Sequence, residues 1–237
     1  MSKTVSIDSA HAYAWRYMSF GRFVWLLQNK SLWLSRTDLL GDEWEMALAG
    51  KQLEFVLRRH PFTPLGSDQP HEPAMERATR IIKHWRKTTF VNCWNVSEHE
   101  SHALWRVYCA SVEGVAIRTT VGNLRSLTGL DFKLFGVIYT EIGSIERTPT
   151  KADLIMRKRP MFEHENEVRL VRFDEPSEMD SPGIALSWDP EKHINAIRIH
   201  PQADQGFANA VLEIVKTYAR ALKGCINLSD MADRPPT

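Results

Sequence analysis

The segment FEHENEVRLVRF, residues 162–173, decides the predicted fold of the second half of the chain, because its charged residues follow a regular spacing. Glu163, Glu165 and Glu167 occupy every second position, and Arg169 continues the series. In a β-strand, this period of two would place all four side chains on one face. In a helix, Glu163 and Glu167 would lie one turn apart, and Glu165 would form an ordinary ion pair with Arg169. The two conformations therefore predict different charge environments.

Two neighbouring features favour the strand. Pro160 closes the short helical pattern that precedes the segment. Val168 and Leu170 then alternate with Arg169 and Val171, which is typical of a strand. The pattern therefore predicts a strand on which the three glutamates share one face. Because like charges repel at that spacing, the glutamates need cationic partners.

The composition indicates a soluble globular protein. The 237 residues are 43% hydrophobic and 25% charged, which is enough for one large core. The formal net charge is +1, so no overall field would attract nucleic acid or an anionic membrane. The apolar runs are shorter than the roughly 20 residues that span a bilayer, and the first residues lack the core of a signal peptide. We therefore expect a cytoplasmic protein without a membrane partner.

Periodicity predicts strands and helices in both halves of the chain. Strand patterns at 14–19 and 31–35 enclose a short helical pattern, and a second helix is predicted from about Trp44 to Arg59. Ser97 and Glu100 have the spacing of a capping box before another helix. This mixture predicts an α+β fold, in which strands from both halves form one mixed, strongly bent sheet flanked by helices.

We expect the chain to form a single domain over residues 1–237. The Pro-rich stretch near 60–73 is predicted as a surface loop, because helical periodicity resumes directly after it. Residues 231–237 are predicted to be frayed. No repeat or low-complexity segment interrupts this organisation.

Three common kinds of site lack their usual motifs. The 12 glycines are scattered and form neither a P-loop nor a dinucleotide fingerprint. His99 and His102, with Cys93 nearby, fit no common zinc spacing, so no metal ligands are predicted among them. No G-x-S-x-G sequence surrounds a serine. Carboxylates remain as the candidate chemical groups.

The acidic candidates form two groups, Asp42 with Glu45 and Glu163 with Glu165 and Glu167. If they converge, they could hold a divalent metal for phosphodiester cleavage. Alternatively, one glutamate on a strand could stabilise an oxocarbenium-like centre by accepting a hydrogen bond from a ribose hydroxyl. A third interpretation is structural pairing. The cations available for such pairing are Arg16, Lys158, Arg159, Arg169 and Arg172.

The sequence resembles a bacterial family known only as domain of unknown function 2971. Its pattern comprises an opening strand with tyrosine, a D-x-x-E, a W-x-x-Y followed by G-V, and a late E-x-E-x-R. The resemblance covers most of the chain and implies no activity. The matching residues here are Tyr17, Asp42, Glu45, Trp105, Tyr108, Gly114, Val115, Glu165, Glu167 and Arg169.

A second resemblance, at the level of the fold, is to ADP-ribosyltransferase-like proteins, which bind NAD in one cleft. It implies that Arg16 holds a phosphate or ribose and that Tyr17 or Tyr108 stacks on the nicotinamide. It further implies that Glu167 stabilises the ribosyl cation while Glu165 faces the acceptor. Function nevertheless depends on the site and not on the fold.

The same resemblance implies two further NAD-binding residues. Trp105 lies three positions before Tyr108 on a predicted helix, so the two side chains should face nearly the same way, and at least one should border the cleft. Thr119, within the RTT sequence at 118–120, is the approximate counterpart of the usual Ser-rich middle strand.

We therefore hypothesise an NAD-consuming ADP-ribosyl transferase or NAD glycohydrolase, with NAD as substrate. A role as a bacterial toxin or phage-defence effector would fit this activity, and the acceptor, protein or nucleic acid, is left open. The alternatives are a metal-dependent nuclease using Asp42, Glu45, Glu165 and Glu167, and a non-catalytic binding module. The transferase hypothesis predicts that Arg16 and Glu167 line one cleft. The hypothesis of a non-catalytic binding module predicts instead that arginine and lysine side chains pair with all of the glutamates and that no cleft opens beside them.

Overall fold

The structure is a computed structural model of the chain. Parts of three predictions lie outside the residues that it describes: the helix at 55–59, the Pro-rich loop at 60–72 and the terminal residues 233–237. The described residues are 2–50, 52–54, 73–109, 111–129, 131–144, 147–174 and 181–232.

Strands come from both halves of the chain, as the sequence predicts. Within the described residues, they form one sheet of nine strands and one of three. The strands are β1 (Lys3–Thr4), β2 (Tyr13–Ser19), β3 (Ser31–Arg36), β4 (Thr89–Val96), β5 (Gly114–Thr120), β6 (Phe132–Gly136), β7 (Ile138–Tyr139), β8 (Arg157–Lys158), β9 (Glu167–Phe173), β10 (Gly183–Ser187), β11 (Ala196–Ile199) and β12 (Ile226–Leu228).

Helices lie between the strands, and the longest of them carry amphipathic patterns. Short 3₁₀ turns also occur, including Thr37–Leu39 and Pro160–Glu165. The α-helices are α1 (Phe20–Asn29), α2 (Ala74–Lys87), α3 (His102–Tyr108), α4 (Val121–Arg125), α5 (Lys151–Ile155), α6 (Pro190–His193) and α7 (Gln205–Tyr218).

The large sheet is mixed, which confirms the predicted α+β class. Its main path runs β10-β3-β4-β2-β5-β11-β12, and β9 joins β4 to β6. The strand pairs are antiparallel except for β11 with β12. The small sheet, in the order β1-β7-β8, also contains one parallel pair. Among the described residues, no helix has both the length and the apolar character needed to cross a membrane.

The sheet splits at β4, and this split positions the candidate site. β9 pairs along nearly the whole of one edge of β4. On the other edge, β2 pairs through Ala14 and Trp15 near the end of β4, whereas β3 pairs through Ser35 and Arg36 near its beginning. Residues 92–94 lie between these two pairings. β2 and β3 therefore separate over the middle of β4 and leave a gap there.

A hydrophobic core holds the diverging strands in place. Phe23, Leu26 and Leu27 form the buried face of α1, which follows β2 directly and packs with α7. Leu34 and Phe90, from β3 and β4, are fully buried in the same cluster. Burying side chains of this size contributes about 1.5–3 kcal/mol each. The walls of the gap are consequently anchored to the main core.

Three local predictions are wrong. The strand expected to include Glu163 and Glu165 begins only at Glu167, after a 3₁₀ turn and a left-handed Asn166 (φ 39°). The helix expected from about Trp44 does not begin there, because residues 43–46 form a turn, whereas residues 50 and 52–54 within the predicted range are helical. The N-cap of α3 is Ser101, not Ser97, since the Ser101 hydroxyl accepts from the backbone N–H of Leu104.

Candidate functional site

Two adjoining cavities occupy the gap between β2 and β3. The smaller, of about 160 Å³, contains Glu165 and Glu167 in its wall, and the larger, of about 320 Å³, is walled mainly by apolar side chains of α1 and β3. Their walls combine apolar and aromatic side chains with a few charged ones, a lining that suits a charged organic ligand. The residues that line both are Arg16, Tyr17, Arg22 and Ser35.

Arg16 and Glu167 line the same cavity although they are distant in sequence. Arg16 lies on β2 at the point where this strand has left β4. Its Nη1 donates to the carbonyl oxygen of Cys93 on β4 at 2.6 Å, across the opened gap. The split in the sheet therefore lets a side chain occupy the space that a paired strand would take.

Arg22 adds a second guanidinium beside Arg16. It lies in the first turn of α1, is exposed and lines both cavities. Burial lowers the pKa of Arg16, and the positive charge of Arg22 lowers it further. Among the described residues, neither arginine is bonded to a carboxylate. Two neighbouring guanidinium groups without a bonded counter-ion form an attractive position for an anion.

The carboxylate end of the smaller cavity contains a buried network of ion pairs. Lys158, on β8, donates to Glu165 and also contacts Glu167 at 3.3 Å. Arg169 donates its Nε to Oε1 of Glu167 at 3.0 Å and its Nη2 to Oε2 at 3.1 Å. The carboxylate of Glu167 thus receives three hydrogen bonds, all from cationic side chains.

Glu165 differs from Glu167 in both pairing and ionisation. Burial raises the pKa of Glu165, and the adjacent charge of Glu167 adds to this, although Lys158 opposes it. Burial also disfavours the charged form of Glu167, but Arg169 and Lys158 outweigh it and lower its pKa to about 2. Glu165 receives only two donors, from Lys158 and from the hydroxyl of Tyr108 at 3.3 Å. It therefore retains acceptor capacity towards the cavity.

Two tyrosines contribute to the cavity wall. Tyr108 ends α3 and lines the smaller cavity. Tyr17 lies on β2, lines both cavities and accepts a hydrogen bond from the backbone of Ser101 at 2.6 Å. Its ring meets Trp105 edge to face at 5.0 Å. α3 therefore holds both tyrosines at the cleft.

Three residues singled out from the sequence lie elsewhere. Trp105 is 1% exposed, lines neither cavity and donates its indole N–H to Glu100 at 2.9 Å. Thr119 is fully buried in β5 and donates to the carbonyl of His193 at 2.8 Å. Glu163 is half exposed and pairs with Lys3 at 3.0 Å. Packing and local bonding, not the cleft, thus account for all three.

Arg22 and Cys93 line the cleft although no sequence pattern pointed to them as cleft residues. A usable signal existed for Arg22, because a helix that begins directly after a strand keeps its first turn close to the end of that strand. Cys93 lies in the middle of β4, where neither β2 nor β3 pairs with the strand. This gap follows from the register of the strands, which a local sequence pattern does not encode.

The other two acidic candidates, Asp42 and Glu45, are also bonded to cations. Asp42 accepts from Arg159 at 2.9 Å, and Glu45 accepts from Arg169. A separate cavity of about 410 Å³ against α2 includes the carboxylate Asp38, which pairs with Arg36 at 2.7 Å. In the part of the chain that the structure describes, no group of three or more His, Cys, Asp or Glu side chains could hold a metal ion.

Comparisons with known proteins add little to this geometry. No family model and no curated protein matches the sequence, so the resemblance to family 2971 stays a prediction. A solved structure of DarT from Thermus sp. 2.9 in complex with ADP-ribosylated ssDNA is similar at 11% identity and a TM-score of 0.42, covering 99% of this chain and 100% of that chain. A structure of the same protein in complex with carba-NAD+ is similar at 11% identity and a TM-score of 0.43, covering 94% of this chain and 97% of that chain. Values this low carry no inference about activity.

Proposed function

We propose that this chain binds NAD in the split of its sheet and breaks the bond between nicotinamide and ribose. The observation that carries the proposal is the charge arrangement of one cleft. Arg16 and Arg22 lie where its two cavities adjoin, whereas Glu165 and Glu167 lie in the wall of the smaller cavity alone. NAD has the matching arrangement, since an anionic diphosphate joins its two halves and its nicotinamide end is cationic.

The two arginines would hold the diphosphate. A guanidinium binds phosphate oxygens through paired N–H donors, and such charge-assisted bonds are the strong ones. Arg16 keeps donors available, because its recorded hydrogen bond uses Nη1 alone. Arg22 forms no hydrogen bond or ion pair with the described residues, so its whole guanidinium is available. Binding of an anion would also relieve the repulsion between the two charges.

Glu165 is our candidate for the carboxylate that faces the developing ribosyl cation. The sequence hypothesis assigned this role to Glu167, but Glu167 already receives three hydrogen bonds from Lys158 and Arg169, whereas Glu165 receives two. A ribose hydroxyl needs a free acceptor site on its partner. Glu167 would then act as the fixed charge that orients Lys158, and through it Glu165.

The tyrosines would complete the nicotinamide end. Tyr108 borders the smaller cavity and donates to Glu165, so its ring lies next to the carboxylate that would meet the ribose. Tyr17 lies where the two cavities adjoin. Either ring offers a flat surface for the cationic nicotinamide. The acceptor of ADP-ribose, whether water, protein or nucleic acid, stays open, as does a role in toxicity or phage defence.

Neither rival activity has a comparable observation in its favour. The carboxylates of the nuclease hypothesis are each bonded to a lysine or an arginine, which a metal ion would have to displace. The binding-module hypothesis predicts that Glu165 and Glu167 are paired, and they are. It also predicts that no cleft opens beside them, whereas a cavity of about 160 Å³ does.

The test is NAD turnover by the wild-type protein and by Glu165→Gln, measured as released nicotinamide. Glutamine keeps the shape but removes the charge that matters in the transition state, so we expect kcat to fall by about 10²–10³, with NAD affinity little changed. Glu163→Gln is the matched control, since it removes a charge from the same segment at an exposed residue. A wild-type protein that shows no NAD binding by calorimetry would refute the proposal.

A further inference from the structure

Arg169 uses every donor that it has. Its Nη1 donates to Glu45 at 2.5 Å and to the carbonyl of Ile155 at 2.6 Å, and its Nη2 donates to Glu45 at 3.0 Å. Its remaining hydrogen bonds go to Glu167. An arginine has five N–H donors, and all five are engaged here in a side chain that is 1% exposed. Arg169 is therefore shared between two carboxylates.

This sharing determines the net charge of the buried cluster of ion pairs, which consists of Glu45, Lys158, Glu165, Glu167 and Arg169. The three carboxylates of Glu45, Glu165 and Glu167 face the two cations Lys158 and Arg169, so that the group carries one negative charge when all three carboxylates are ionised. Without Glu45 the cluster would be neutral. All five side chains are at most 9% exposed, so water screens these charges weakly. One charge is thus significant at the end of the cleft where a cationic ligand group would bind.

The turn that carries Glu45 is itself fixed in place. The backbone N–H of Glu45 donates to the carbonyl of Asp42 at 3.0 Å, and Met46 follows in a left-handed conformation (φ 55°). The Asp42 side chain pairs with Arg159, the residue after Lys158. Asp42 and Glu45 thus tie one turn to two separate segments of the candidate site. This is the role that the structure gives to the D-x-x-E motif.

We propose that Glu45 is a positioning residue, which supplies half of the counter-charge of Arg169 and so leaves Glu165 and Glu167 a net negative charge facing the cavity. The expected effect of Glu45 on NAD turnover rests on the proposed function. Its structural basis, the shared guanidinium, is independent of the ligand.

The experiment compares Glu45→Gln, Glu45→Asp and the control Glu43→Gln. Glutamine keeps the hydrogen-bond acceptor of Glu45 but not its charge, so we expect kcat for NAD to fall by at least about tenfold, with KM within about threefold. Aspartate keeps the charge and should restore part of kcat. Glu43 is exposed and has no recorded ion pair among the described residues, so Glu43→Gln should match the wild type.

A carboxyl-detected NMR titration of Glu165 provides a readout that does not depend on turnover. Removal of a nearby negative charge favours ionisation, so Glu45→Gln should lower the pKa of Glu165 by about half a pH unit. Glu45→Asp should leave the pKa of Glu165 unchanged, and a lower pKa in that variant would contradict the role of charge, even if Glu45→Gln does not fold.

Unchanged kcat and an unchanged titration of Glu165 in Glu45→Gln would overturn the inference. A wild-type protein inactive on NAD would instead refute the proposed function, and the titration alone would then decide the inference.

Discussion

At the scale of residues, the feature with most consequence is the pair Arg16 and Arg22. Like charges are brought together in a folded protein only when the rest of the structure holds them or when a ligand separates them. Arg16 is held by the carbonyl of Cys93 and by packing of its guanidinium over Trp94 at 5.9 Å. Arg22 has no such support and remains exposed. It therefore contributes little to stability and much to the potential of the cleft.

This leads to a prediction for Arg22→Gln. We expect the affinity for NAD to fall about ten- to hundredfold, the effect of losing one charged hydrogen bond, with kcat at saturation retained. The midpoint of thermal unfolding should not change, because the side chain is exposed. Calorimetric titration with NAD provides the measurement.

Arg220→Gln is the charge-matched control, since Arg220 is exposed and lines neither cavity. If both variants lose affinity equally, the effect comes from net charge, and Arg22 does not contact the diphosphate.

At the scale of elements, the split of β4 is what the sequence could not supply. The strand patterns at 14–19 and 31–35 identify β2 and β3 nearly to the residue. Which residues of β4 each strand pairs with is a matter of register, and both ends of β4 are hydrophobic enough to accept either partner. The cleft therefore follows from tertiary pairing and not from any local pattern.

The segment before β9 illustrates a different limit. Alternation of charged residues favours a strand through Glu163, but alternation is also compatible with a 3₁₀ turn followed by one left-handed residue. Asn166 is a residue type that tolerates this conformation, and it ends the turn there. As a result Glu163 points to Lys3, whereas Glu165 and Glu167 both meet Lys158. The prediction that all three glutamates share one face is therefore wrong, since only Glu165 and Glu167 converge.

Asn166 is accordingly the position to test at this scale. Its side chain donates to the carbonyl of Val96, and its own carbonyl accepts from the backbone N–H of Val96 at 2.9 Å. Asn166→Ala should cost about 2 kcal/mol in the free energy of unfolding, because it loses the side-chain bond and strains the left-handed backbone. Asn166→Gly should cost less, since glycine adopts this conformation freely.

Urea denaturation of the two variants gives the comparison. Equal stability of the alanine and glycine variants would show that the left-handed conformation of residue 166 does not limit the stability of the fold.

At the scale of the whole molecule, the α+β class and the presence of strands from both halves in one sheet were predictable, since hydrophobic periodicity and capping signals encode them locally. The charge network was only partly predictable. Lys158, Arg159 and Arg169 were recognised as available cations, but the partners Glu45 and Asp42 lie more than a hundred residues away in sequence. Long-range pairs of this kind depend on the packing of the entire fold.

The sequence also left open whether Glu167→Gln would relieve repulsion or break a pairing. The structure favours the second outcome, because Arg169 and Lys158 lie between the carboxylates and Glu163 is elsewhere. We therefore expect Glu167→Gln to be less stable than the wild type at pH 7, by about 3 kcal/mol on the basis of the lowered pKa.

The pH dependence of stability tests this assignment for the molecule as a whole. The pKa of Glu167 is lowered from 4.5 to about 2 in the folded state. A group with a lowered pKa stabilises the fold fully above its unfolded pKa, and this contribution is lost as the pH falls through the folded value. The wild type should therefore lose stability between about pH 4.5 and 2 more steeply than Glu167→Gln, so that the two proteins converge in stability in acid.

Glu165→Gln is the opposite control, since the raised pKa of Glu165 means that its ionised form is disfavoured by folding. Denaturant unfolding at pH 7, 4.5 and 3 gives the measurement, and a constant difference between the wild type and Glu167→Gln at all three values would contradict an ionised, paired Glu167.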